Sequence, residues 1–203
     1  NEIGQIAGRA GRYKKDGTFS YTKDAGDLDP LIIQQIETHN FDKIQKIYWR
    51  NSNLNFNTID TILSSLKKYP VNNYFIHKKN ALDEINFRNL INDNDIKKFL
   101  ISKKNLMLLW DICQIPDFGN TFTDRHIKLI EQLYSILMHG KIEDEWIEDQ
   151  IFSLKKFDGD IDTILNRISN IRTWTYITNK SSWINNPELW QHETKKIENK
   201  LSD

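Results

Sequence analysis

Two of the seven arginines fall three positions apart in Gln5-Ile6-Ala7-Gly8-Arg9-Ala10-Gly11-Arg12. A guanidinium presents a planar fork of N–H donors, which suits phosphate oxygens better than a lysine ammonium does. On a helix, positions three apart share a face, so Arg9 and Arg12 would reach one target. Gly8 and Gly11 are poor helix formers. They predict a helix broken near them and a second surface coming close to this backbone. The plain alternative is a polar helix end with no chemistry.

The string resembles the sixth conserved motif of superfamily II helicases, Gln-x-x-Gly-Arg-x-Gly-Arg, and matches it at Gln5, Gly8, Arg9, Gly11 and Arg12. Further stretches resemble the mitochondrial degradosome (suppressor-of-var-type) RNA helicases and their bacterial relatives. These are Glu2-Ile3-Gly4, Tyr13 to Phe19, Phe41-Asp42, Trp49-Arg50-Asn51-Ser52, Leu109 to Phe118 and Trp174-Thr175-Tyr176. The stretch Trp110-Asp111-Ile112-Cys113-Gln114-Ile115-Pro116-Asp117-Phe118 is the most family-specific of them. The resemblance implies an ATP-dependent RNA helicase, in which two RecA-like domains bind ATP with Mg2+ between them and RNA crosses their top. It implies that Gln5, Gly8, Arg9 and Arg12 face the nucleotide, with Gln5 and Arg9 at the γ-phosphate region and Arg12 as the arginine finger. It further implies single-stranded or duplex RNA as partner, a ribonuclease as a second one, and a bacterial cytoplasm or a mitochondrial matrix as location.

An ATPase also needs a phosphate-cradling Gly-x-x-x-x-Gly-Lys-Ser/Thr loop. Gly140-Lys141 is followed by Ile142 and has no glycine five positions earlier. Asp144-Glu145-Trp146 mimics a magnesium-holding motif, but it opens an amphipathic segment, where acids suit the helix dipole. The sequence starts with Asn1 rather than Met, directly before a motif that closes a RecA-like domain. The expectation is a fragment: residues 1–26 as the end of a second RecA-like domain and residues 27–203 as an α-helical domain. Such a fragment would not hydrolyse ATP without the N-terminal part of the same protein.

Composition supports a packed globule: 38% hydrophobic residues, six Trp and ten Phe over 203 residues. The net charge is zero, so no strongly charged partner is implied. Lysine outnumbers arginine 21 to 7, which makes pairs such as Lys97-Lys98 and Lys103-Lys104 more plausibly solvated faces than RNA contacts. Cys113 is the single cysteine, so no internal disulfide forms, and its apolar surroundings favour a buried, inert thiol. The five histidines are isolated, and no apolar run approaches the ~18 residues of a membrane span.

The elements that position these residues read as follows. Lys14 to Gly17 is a turn, and the alternating Thr18-Phe19-Ser20-Tyr21-Thr22 predicts a strand. Asp29-Pro30 starts a helix through His39. Phe41 to Arg50 predicts a second amphipathic segment. Ile59, Ile62, Leu63 and Leu66 form a helical stripe entered through Thr58 with a reciprocal cap. Two short helices follow over 81–91 and 93–102, then an apolar helix over 105–113 stopped by Pro116. Thr123 caps a helix to about Met138, and Glu143 to Phe157 forms another. Asp160 caps the clearest helix, with Ile161, Ile164, Leu165, Ile168, Ile171 and Thr175 along it. Asn186-Pro187 starts the last helix. The prediction is a mainly α fold, an array of about eight or nine helices preceded by the last helix and strand of a RecA-like domain. Leu106, Leu109, Trp110, Ile130, Leu137, Ile164, Ile168 and Ile171 are the expected core.

Arg172, Trp174 and Tyr176 are a second candidate site, because aromatic and guanidinium planes stack on RNA bases. Packing of Trp174 and Tyr176 against the final helix is the favoured alternative, as a packing corner is for Trp49-Arg50-Asn51. Two other readings of the whole stand beside the helicase: a helical module that docks a ribonuclease or other protein without catalysis, and a free-standing helical protein with a coincidental start.

Overall fold

The computed structural model describes residues 2–11, 16–41, 43–119 and 124–202. The chain is mainly helical, with ten α-helices and one two-stranded sheet among these residues. It forms two compact units. The smaller comprises Asn1–Ile47 with Asn72–Ile76, and the larger comprises Tyr48–Val71 with His77–Asp203.

In the smaller unit, α1 (Glu2–Ala7) and α2 (Pro30–Glu37) pack together. Asp29 caps α2, its carboxylate accepting from Leu31 N at 2.8 Å, and Pro30 occupies the first helical position. Its missing N–H is one the helix end would leave unpaired anyway. Ile36 is the buried residue of α2. Residues 18–22 form no strand. Alternation marks two faces, but a strand exists only with a ladder partner. A 3₁₀ turn, Lys23–Ala25, follows them.

The segment over 41–50 is not helical. Its last residues form β1 (Ile47–Trp49), which pairs with β2 (Phe75–His77). Ile, Tyr and Trp in succession favour a pleated strand over a helix, which overrides the helical spacing of Ile44, Ile47 and Tyr48.

The larger unit is an all-helical pack. Helix α3 (Ile59–Leu66) opens on a reciprocal cap: the Thr58 hydroxyl accepts from Thr61 N at 3.2 Å, and the Thr61 hydroxyl accepts from Thr58 N at 2.9 Å. Thr58→Ala frees both donors and should cost about 1 kcal/mol, read as a lower urea midpoint at unchanged m. Next come α4 (Leu82–Leu90), α5 (Asn94–Lys97) and α6 (Lys103–Cys113). Helix α7 (Asp124–His139) follows, and the Thr123 cap lies outside the described residues. Helix α8 (Asp144–Phe152) tightens into a 3₁₀ turn, Ser153–Lys155, and stops short of Phe157. The Asp160 carboxylate caps α9 (Ile161–Thr178) through Thr163 N at 2.8 Å, and α10 (Pro187–Ser202) ends the chain.

Phe87, Leu106, Leu109, Ile112, Ile130, Leu133 and Ile171 are essentially inaccessible and form one core with Trp110. Leu137, Ile164 and Ile168, expected to be fully buried, are only half-buried at its edge. Ile161 and Leu165 of the same stripe are 78% and 54% exposed. A helical stripe is buried only where another element lies against it, and α9 buries its C-terminal half through Ile171, Trp174 and Ile177. Helices α9 and α10 pack along each other, with a buried Thr178–Thr194 hydroxyl pair at 3.2 Å between them. Trp190 Nε1 donates to Asp144 Oδ1 at 2.7 Å and ties α10 to α8.

Candidate functional site

The arginine-glycine stretch belongs to the smaller unit. Helix α1 ends at Ala7, and the chain continues as a turn in which Arg9 N donates to Ile6 O at 3.1 Å and Ala10 N to Ala7 O at 3.0 Å. Arg9 therefore sits in a turn. The helical-face argument joining it to Arg12 does not apply, since Gly8 ends the regular helix. Gln5, Gly8 and Arg9 are exposed, while Arg12 lies outside the described residues. The close backbone approach predicted here is present within the unit. A Cβ on Gly17 would lie 2.2 Å from Ala10 C and 2.4 Å from Gly11 N, so only glycine fits there. A Cβ on Gly4 would meet the Phe41 ring at 2.7 Å. The turn after α1 is thus held by backbone packing, leaving the side chains of Gln5 and Arg9 facing solvent.

The second candidate site belongs to the larger unit. Trp174 is 5% exposed, its ring meeting Trp146 edge-on with centroids 5.5 Å apart. Arg172 Nε donates to Glu198 Oε1 at 3.2 Å, and Tyr176 lies half-buried under the Lys180 ammonium, 5.4 Å from its ring centroid. These contacts are those of a packing corner between α9 and its neighbours. Arg50 is likewise engaged within the fold. Its guanidinium forms two parallel hydrogen bonds with the Asp83 carboxylate and lies over the Trp110 ring, 5.7 Å from the centroid.

In the string from Trp110 to Phe118, Trp110, Ile112, Cys113 and Ile115 are core residues. Burial pushes the Cys113 thiol well above its ordinary value, and the nearby Asp83 carboxylate adds to this. A thiol held protonated and enclosed is a poor nucleophile.

The larger unit also holds a site that residue spacing did not reveal. A cavity of about 510 Å³ is lined by Arg125, His126, Lys128 and Gln132 of α7, Asn170 and Trp174 of α9, and Asp117 of the preceding loop. His126 is buried, and burial holds its imidazole below the ordinary 6.5, against opposing pulls from Asp117 and from a hydrogen bond to the Ile115 backbone. Nε2 has no partner among the described residues. The Ile115 carbonyl can only accept, so Nδ1 carries the proton and Nε2 presents a bare lone pair. The one sequence signal for this residue is that His126 precedes Ile130 by four and Leu133 by seven, which places it on the buried stripe of α7.

This environment sets a pH dependence. Between the lowered folded value and 6.5, the unfolded chain binds a proton at His126 that the folded chain does not. Stability therefore rises with pH across that window. The contribution is fully present above 6.5 and is lost as pH falls through the folded value. Denaturant midpoints measured from pH 7.5 downward should show this loss, and His126→Gln should flatten it.

Comparison with family models, with curated proteins and with solved structures finds no match for the chain.

Proposed function

We propose that this chain is the C-terminal part of an ATP-dependent RNA helicase, with residues 1–26 closing a RecA-like domain and the helical remainder guiding single-stranded RNA. The observation that carries the reading is the five-position match at Gln5, Gly8, Arg9, Gly11 and Arg12, together with the exposure of Gln5 and Arg9. An amide and guanidinium groups are the right chemistry for the oxygens of a transferring phosphoryl group, whose spreading charge a placed cation stabilises. The residues present suit the phosphate end of ATP. The phosphate-cradling loop and the carboxylate that holds Mg2+ would belong to the upstream part of the protein. The buried string from Trp110 to Ile115 supports a likeness of fold rather than of chemistry, since its side chains make the core.

The test is RNA-stimulated ATPase activity of this chain beside a form extended N-terminally through the whole motor. Turnover by the extended form alone supports the reading; its absence from both removes it.

A second reading, docking of a ribonuclease or other protein by the helical unit, is favoured by zero net charge and by the exposure of Phe152 (66%) and Ile161 (78%). Phosphate contacts weaken steeply with salt. RNA binding that falls with salt supports the first reading, and protein capture that survives salt supports the second.

A further inference from the structure

The cavity bordered by α7 and α9 carries an inference that does not depend on the helicase reading. Its volume of about 510 Å³ falls in the range of small-molecule sites, roughly 300–1,000 Å³. Its polar groups converge from separate elements. Arg125 and Lys128 stand three apart in the first turns of α7, so they share one face, at the end of the helix where the dipole favours anions. Against these two cations the lining has one carboxylate, Asp117. Gln132, Gln150 and Asn170 add amides that both donate and accept.

His126 makes the demand specific. The residue is 8% exposed, it lines the cavity, and its Nε2 is without a partner among the described residues. A buried acceptor left unpaired is costly, so a group that donates to it gains that cost back. An inorganic anion offers oxygen acceptors to the cations but no carbon-borne hydroxyl for Nε2. A hydroxylated phosphate monoester offers both.

We propose that this cavity binds a phosphorylated sugar of ribose-phosphate or nucleotide size, a sugar hydroxyl donating to His126 Nε2 and the phosphate meeting Arg125 and Lys128. The same chemistry occurs in a free nucleotide and at the 5′ end of an RNA strand.

The test is titration calorimetry on the 203-residue chain with ribose 5-phosphate, adenosine 5′-monophosphate, inorganic phosphate and a 5′-phosphorylated RNA oligonucleotide as probes. Saturable binding of a sugar phosphate, tighter than that of inorganic phosphate, is expected. The variant Arg125→Ala/Lys128→Ala should weaken it about tenfold or more, since charge-assisted contacts are lost. His126→Phe should weaken the sugar phosphates about tenfold while leaving inorganic phosphate unchanged. Binding of the free monophosphates identifies a soluble ligand, and binding of the RNA alone identifies a strand end; either supports the site. Arg125 and Lys128 are exposed, so their replacement spares the fold and decides the matter even where His126→Phe fails to fold. Three results overturn the proposal: no heat at millimolar probe, inorganic phosphate binding as tightly as the sugar phosphates, or affinity unchanged in Arg125→Ala/Lys128→Ala.

Discussion

In the intact helicase proposed here, Arg12→Ala is expected to lower RNA-stimulated ATP turnover by about 10³–10⁵-fold, the contribution of an arginine finger in phosphoryl transfer. RNA affinity should stay nearly unchanged, because the finger acts on charge that develops only in the transition state. The loss should appear in kcat and in kcat/KM alike. Arg12→Lys should restore little, since one ammonium cannot replace a planar fork of donors. Turnover that survives Arg12→Ala removes this residue from the finger role. The same substitution in the present chain should leave its thermal stability unaltered, which separates a chemical effect from a folding one.

The second large effect concerns the helical core. Phe87 is fully inaccessible, and its ring meets Trp110 edge-on with centroids 5.7 Å apart. Phe87→Ala should destabilise the larger unit by about 3–5 kcal/mol, from lost transfer energy plus the cavity left behind. A lower denaturant midpoint at unchanged m is the measurement. Phe87→Leu keeps most of the volume and should cost clearly less than Phe87→Ala. A loss below about 1 kcal/mol for Phe87→Ala would show that this packing is looser than its burial indicates.

The sulfur chemistry and the aromatic cluster lead to a common point. Cys113, Trp110 and Trp174 are reactive or stacking residue types, yet each is buried among apolar neighbours. Residue type proposes chemistry, whereas accessibility decides whether a ligand can meet it. Gln5 and Arg9 satisfy both conditions, and Trp174 satisfies only the first.

The sequence by itself determined where most helices begin. Asp29-Pro30, Thr58, Asp160 and Asn186-Pro187 mark their helix starts because capping is local: a side chain satisfies a backbone donor two or three residues away. It also determined the apolar face of α6 and the placement of Leu106, Leu109 and Trp110 in the core, since a helix of that composition must bury one side. The motif at Gln5 to Arg12 is likewise legible in the sequence, because its spacing is its signature.

Only the tertiary structure decided the rest. Residues 18–22 alternate as a strand would but lack a ladder, while Ile47–Trp49 became a strand through pairing with Phe75–His77. Strand identity depends on a distant partner, which no local pattern contains. The exposed Ile161 and Leu165 show the same dependence for a helix, because a stripe is buried only where a neighbour covers it. The cavity at His126 depends on it most. Residues from 117 to 174 converge there through the packing of α7 and α9, and an isolated histidine becomes an unpaired acceptor only when the fold closes around it.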